Sequence, residues 1–307
     1  MTDSSNVDAA VPETGSAASA RQFLASWPAE SYLTPAAVPK DPAASSEPAH
    51  PRGRRRWWPV VGGGILPVAL LIVWWAVTAA QLLPSYRLPS PAAVVQAAVD
   101  LQTNPLYPGA LFRDIAISVQ RVILGFLIGS LIGLVLGSLV GLSRTAEILL
   151  GPLLGAIRAV PSLAWMPLLL LYLGIFEPPK IVLITIGAIF PVFTTLSTAL
   201  RHVDPHLVEV GRAFGLRRFE LLTTVQLPAV LPSLVAGLRL ALAQSWLFLV
   251  AAELISSSIG LGYLLSDSQN NSRVDRLFLA IILLAILGKS TDALIGLLER
   301  RLLKRWG

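Results

Sequence analysis

Six apolar runs alternate with shorter polar segments along the chain, over residues 58–83, 115–142, 147–176, 180–200, 229–255 and 277–298. Roughly 20 apolar residues in a helix cover the hydrocarbon core of a bilayer. Inside that core water cannot satisfy backbone N–H and C=O groups, so runs of this length have to be helical. The pattern predicts an all-α, polytopic membrane protein with about six transmembrane helices. Composition agrees: 54% of the 307 residues are hydrophobic and only 14% are charged, outside the soluble globular range.

A net charge of +6 invites a nucleic-acid reading. In a polytopic chain, however, excess Lys and Arg mark cytoplasmic flanks, and lipid rather than nucleic acid is the surrounding partner. Arg54, Arg55 and Arg56, then Arg144, Arg201, Arg212, Arg217, Arg218, Arg300, Arg301, Lys304 and Arg305, fall on one side of a six-span topology. Arg87, Arg113, Lys180, Arg273 and Arg276 fall on the other. Both termini are therefore expected in the cytoplasm. Residues 1–56, rich in Ala, Ser and Pro with no apolar period, read as a disordered cytoplasmic tail before a membrane domain over 57–307. No signal-peptide core stands near Met1, and the run after Arg56 is an anchor with no small-residue cleavage site. The chain has no cysteine, which excludes disulfides and thiolate sites, and His50, His202 and His206 are too dispersed for a metal centre. Two outer connections are expected, one over 84–113 with a short surface helix at 91–101, the other over 256–276.

Two features stand out within the spans. In the second, Gly125, Gly129, Gly133, Gly137 and Gly141 recur every four residues and make a groove for the close approach of another helix. Polar groups are the other feature: Arg158, Ser162, Arg239, Gln244 and Glu253 lie where such residues are costly and usually face a cavity or each other. A substrate pathway is one reading of this set. A structural ion pair, such as Arg239 with Glu253, is the other. Lys289 and Asp292, three apart on one helix face, read as a structural pair.

The most informative connection is 204–228, DPHLVEVGRAFGLRRFELLTTVQLP. Asp204 caps a helix that Pro205 opens at its first position. Leu207, Val210 and Phe214 fall on one face, Glu209 lies on the polar face, and Gly215 supplies the left-handed residue that ends the helix. A second helix places Phe219, Leu222 and Val225 on one side, and Pro228 closes the unit before the next span. A helix–turn–helix also reads DNA in other settings, but spans immediately on both sides hold this one against the membrane. An apolar face on a short cytoplasmic unit calls for a protein partner.

Glu209-Val210-Gly211, then Gly215, then Val225-x-Leu227-Pro228 resembles the EAA loop of ABC importer permeases, E-A-A-x3-G-x9-I-x-L-P. The anchor spacing matches, while Val210 and Gly211 stand where the family has alanines. Residues 160–193 and 227–254, and the GLGYLL that begins at Gly260, are similar to the nitrate/sulfonate/taurine/bicarbonate branch, most of all to aliphatic sulfonate permeases. The resemblance covers residues 57–307. It implies a bacterial cytoplasmic-membrane subunit that pairs with a second copy of itself. Two cytoplasmic ATPase subunits would bind the 204–228 loops as coupling helices, through Leu207, Glu209, Val210, Gly211, Ala213, Phe214, Gly215, Leu227 and Pro228. An extracytoplasmic solute-binding protein would deliver a small anion. The chain has no G-x-x-x-x-G-K-[ST] loop, so no nucleotide cofactor is expected on it, and ATP and Mg would sit on the partner ATPase. It is not expected to be an enzyme. Two rivals are an ion-gradient-driven secondary transporter, for which no inverted repeat is visible, and an intramembrane enzyme, for which acid–base residues are too scattered.

Overall fold

The computed structural model describes residues 58–306; side chains at 58–64, 218, 219 and 302–306 lie outside the description. The expected tail at 1–56, the expected contact face of Phe219 and the charges of Lys304 and Arg305 lie there too. Contacts between Cα atoms divide the chain into Met1–Gly62 and Gly63–Gly307, and the packing below belongs to the second unit. Every regular element among the described residues is helical. In order these are α1 (Trp58–Ala79), α2 (Pro91–Thr103), α3 (Ala110–Leu142), α4 (Arg144–Ala159), a 3-10 turn (Ser162–Trp165), α5 (Met166–Leu173), α6 (Pro178–Arg201) and α7 (Pro205–Ala213). A second half follows: α8 (Arg218–Leu221), running into a π-helical turn (Leu222–Gln226) and a closing turn (Leu227–Ala229), then α9 (Leu231–Ser256), α10 (Leu261–Asn270) and α11 (Val274–Trp306).

Four of these helices, α3, α6, α9 and α11, are long and apolar enough to cross a membrane. The third apolar run is not one straight helix: α4 and the segment Ser162–Leu173 meet at 84°. Pro161 accounts for the break, because its ring pushes the preceding residue out of the helical region, and Val160 is extended at φ −73°, ψ 123°. The first run is the 22-residue α1, whose apolar side chains from Ile65 to Ala79 are largely exposed.

The glycine ladder of α3 packs on α6. Opposite it stands a second row at the same spacing: Ile184, Ala188, Val192, Leu196 and Leu200. A methyl group on Gly129 would come within 2.6 Å of both the Ala188 Cβ and the Thr185 carbonyl, and one on Gly133 within 2.8 Å of the Ile189 carbonyl. These backbones touch with nothing between them, a contact that depends on small residues in lipid. On its other side α6 meets α9, and Leu183, Ile184, Val192, Leu196, Ala241 and Leu249 are all fully buried in this three-helix core.

The two outer connections are more ordered than expected. The first holds α2, capped by the Ser90 hydroxyl, which accepts from the Ala93 N–H at 3.2 Å. Its Val94, Ala97 and Leu101 are buried against Leu261, Leu264, Leu279 and Ala280, so it is a packed element rather than a surface helix. The second connection contains α10, which supplies Leu261 and Leu264 to that cluster. Its many polar residues conceal this, because only one face of a ten-residue helix needs to be apolar.

Candidate functional site

Three polar regions stand along this bundle, and sequence reasoning named residues in each. The 204–228 unit sits at the end where α6 finishes. Asp204 accepts from the His206 N–H at 2.9 Å, and Pro205 takes the first helical position. At the other end of α7, Gly215 adopts φ +78°, its N–H donates to the Arg212 carbonyl at 2.9 Å, and the Leu216 N–H reaches the Gly211 carbonyl at 3.2 Å. This pair of bonds is a Schellman closure, which fixes the turn. Glu220 then accepts from the Arg217 N–H at 2.8 Å to start α8.

Gly211 is the buried residue of α7, and a methyl group there would lie 2.5 Å from Leu221 Cδ1 and 3.4 Å from Val225 Cγ2. The departure from alanine at this position thus lets the Leu221 side chain close against α7. Leu222 and Leu227 reach the core formed by Leu196, Leu200, Val230 and Leu234. Pro228, which cannot donate a backbone hydrogen bond, stands one residue beyond the widened π turn, after Leu227. The unit is thereby fastened on one side. Its other side is open: Leu207 is 48% exposed, Val210 55% and Phe214 82%. Glu209 and Ala213 are exposed alongside them.

A second region is a cavity of about 330 Å³ among α4, the 3-10 turn, α6 and α9. Three of the expected pathway residues, Arg158, Ser162 and Gln244, line it together. Arg158 Nη1 donates to Thr194 Oγ1 at 3.2 Å. Phe190, Leu240 and Phe248 supply apolar wall. Pro191 lies in the same lining and leaves the carbonyl of Gly187, four residues back, without its helical donor.

Arg239 and Glu253 belong elsewhere. Arg239 Nε donates to Asp292 Oδ1 at 2.8 Å and a second nitrogen lies 3.5 Å from Glu299, so it ties α9 to α11 and does not pair with Glu253. Their separation of 14 residues on one helix, about 21 Å at 1.5 Å per residue, forbids that pair. Lys289 does approach Asp292, at 3.5 Å, but shares it with Arg239.

Glu253 is fully buried at the opposite end of the bundle, in a cluster that sequence reasoning missed. Arg121 of α3 bonds Glu253, donates to both carboxylate oxygens of Glu177 at 2.6 and 2.7 Å, and reaches the Ile259 carbonyl at 2.8 Å. The Ser118 hydroxyl donates to Glu253 and accepts from the Leu261 N–H at 2.9 Å. The Gly262 N–H donates to Glu253 Oε2 at 2.8 Å, and a side chain at Gly260 or Gly262 would collide with the glutamate. This explains the glycines of GLGYLL: they let the chain wrap a buried carboxylate. Outside the spans, Glu177 is held down to about 2, chiefly by its hydrogen bond from Arg121. The one available signal was Arg121 itself, an arginine inside an apolar run.

The fold is a helical bundle with one bent span and an amphipathic helix pair fastened at one end. Residues 112–304 match the family model of binding-protein-dependent transport system inner membrane components, and the chain belongs to that family. It is an ABC importer permease subunit, and membership implies an ATPase and a solute-binding protein as partners. A protein of Escherichia coli (strain K12) provisionally named an aliphatic sulfonates transport permease is 41% identical over 82% of this chain and 94% of its own. A namesake from Bacillus subtilis (strain 168) is 37% identical over 82% and 90%. The nitrate import permease protein of Leptolyngbya laminosa is 34% identical over 69% and 77%. A chain of the methionine ABC transporter MetNI, in an inward-facing conformation, aligns over 64% of this chain and 94% of its own with a TM-score of 0.49 and 22% identity.

Proposed function

We propose that this permease imports aliphatic sulfonates, working as a pair of identical copies driven by two ATPase subunits seated on the 204–228 units. The observation that carries the reading is the open stripe of Leu207, Val210 and Phe214 on a helix that is capped at both ends and fastened to the core. ATP-driven closure of a partner can do work on the spans only through a stiff element, since a flexible loop would absorb the movement. An apolar helical face at i, i+3 and i+7 is the shape that a groove in another protein receives. Exposed Glu209, on the polar face of the same helix, offers a carboxylate to a basic group on the ATPase.

The distribution of arginines supports an orientation with this unit and both termini in the cytoplasm. The chain carries no phosphate-binding loop, so ATP and Mg belong to the partner ATPase. Sulfonate as cargo is supported by the two relatives of that name, which match over most of their lengths. Nitrate is the second reading, favoured by the nitrate import relative. The test is uptake of a labelled alkanesulfonate into proteoliposomes holding the permease, its ATPase and its binding protein. Uptake that requires ATP and the binding protein, and is not matched by nitrate, supports the proposal. Nitrate uptake in place of sulfonate replaces the cargo, and uptake driven by an ion gradient without the ATPase overturns the mechanism.

A further inference from the structure

We infer that the cavity around Arg158 is a cargo-binding site shaped for an anion with an uncharged apolar tail, and that it discriminates against zwitterions and bare inorganic anions. This rests on the proposed import of a small anion and narrows its chemistry. Among the described cations inside the apolar runs, Arg158 is the one without a carboxylate partner. Arg121 faces Glu253 and Glu177, Lys180 faces Glu177, Arg239 faces Asp292 and Glu299, and Arg201 faces Glu147. Arg158 has no carboxylate within ion-pair distance among the described residues, and its hydrogen-bond partner is the neutral Thr194 hydroxyl. A guanidinium presents five donors in a planar fork that matches oxyanions. Ser162 and Gln244 stand in the same lining with no side-chain hydrogen bond among the described residues, so their donors are free for a ligand.

The remaining walls decide which anion fits. Phe190, Leu240 and Phe248 give an apolar side to the same space, and Phe248 is held in place against Gly187, where a larger residue would overlap its ring. An alkanesulfonate satisfies both sides at once, with its head on Arg158 and its chain on the aromatic wall. Nitrate has nothing to place on that wall. Taurine would bring an ammonium group, and no Asp or Glu is among the described lining residues to receive it. A volume of about 330 Å³ is at the small end of ligand pockets and suits a short-chain ligand.

The test uses the permease–ATPase complex without its binding protein, so that selectivity measured is the permease's own. Labelled butanesulfonate is bound to the purified complex and displaced by ethanesulfonate, hexanesulfonate, taurine and nitrate. The expected result is tighter binding with each methylene that reaches the wall, by about fourfold per group, and taurine and nitrate at least about tenfold weaker than butanesulfonate. Arg158→Gln is expected to lose about tenfold or more in butanesulfonate binding, with Arg158→Lys between the two. Phe190→Ala is expected to flatten the chain-length series. Equal competition by taurine, or an Arg158→Gln complex that binds as well as the wild type, overturns the inference. Should the variant fail to assemble, the wild-type displacement series decides alone. Sulfonate uptake by the complete transporter with no binding to the wild-type complex sinks this site and leaves the proposed cargo standing, whereas loss of sulfonate uptake itself removes the cargo.

Discussion

Arg121 and Arg158 are both guanidinium groups within apolar runs, and the bundle treats them in opposite ways. Arg121 is 3% exposed and spends its donors on Glu253, Glu177, Ser257 and the Ile259 carbonyl. Arg158 stands at an open cavity with one neutral partner. Burying a charge is tolerable only when it is paired and hydrogen-bonded, so the closed region has every incentive to stay as it is. The open region keeps a charge whose counter-ion is absent from the described residues. An intramembrane arginine is thus diagnosed by its partners and not by its position in the sequence. One is a clasp that joins α3, α9 and the turns before α6 and α10; the other lines a cavity with only the neutral Thr194 as its partner.

The comparison breaks first on stability. Arg121→Leu leaves the fully buried Glu253 carboxyl without its cation, which is expected to cost about 3–5 kcal/mol. Arg158→Leu removes an exposed group and is expected to change unfolding by less than about 0.5 kcal/mol. Thermal unfolding of the two purified variants in one detergent separates them, and equal losses would erase the distinction.

A smaller effect sharpens the same contrast through the helices that carry the two arginines. Gly129→Val drives a side chain of α3 into the Thr185 carbonyl of α6 and is expected to cost about 1–3 kcal/mol. On α4, Gly155 has nothing within 4 Å of an added methyl group. Gly155→Ala is therefore expected to be neutral or to stabilise by up to about 1 kcal/mol, since alanine is the better helix former. The same unfolding assay reads both, and a costly Gly155→Ala would show that α4 is packed as tightly as α3.

The smallest effect is the pH dependence of the clasp. Glu177 is lowered from 4.5 to about 2 in the folded protein, first by its hydrogen bond from Arg121. A depressed carboxyl contributes stability above its unfolded value that is lost as pH falls through the folded one, so the loss falls between about 4.5 and 2. Its side chain is 55% exposed, and solvent screening holds the contribution below about 1 kcal/mol. Unfolding measured at pH 7, 5 and 3 is expected to show Glu177→Gln losing less than the wild type between pH 5 and 3. Equal slopes would mean that the bridge adds nothing.

Much of this architecture was legible in the sequence, because the signals were local. Hydropathy gave the four long spans and the bent one, Asp204 and Gly215 gave the ends of α7, and five glycines four apart announced a close helix contact. Residues that meet from far apart were not legible. Arg121 lies 56 residues from Glu177 and 132 from Glu253, and no local pattern joins them. For the same reason the partner of Arg239 was misjudged: its carboxylates come from α11, 53 and 60 residues away, while Glu253 lies two or more turns beyond its reach on the same helix. The cavity occupies the middle ground. Arg158, Ser162 and Gln244 were singled out as costly polar groups, but Thr194 and the aromatic wall depend on how α6 lies between α4 and α9. The bend at Pro161 turned an interrupted run into a right-angled corner, and a proline alone does not state an angle.

The 204–228 unit is proposed as the seat of an ATPase, and one measurement addresses that directly. The permease carrying Val210→Asp and Phe214→Asp together is co-expressed with its ATPase and purified through a tag on the permease. Both side chains are more than half exposed, so the variant is expected to fold and unfold like the wild type while losing at least about tenfold of the co-purified ATPase. A full complement of ATPase on a correctly folded variant would contradict the account.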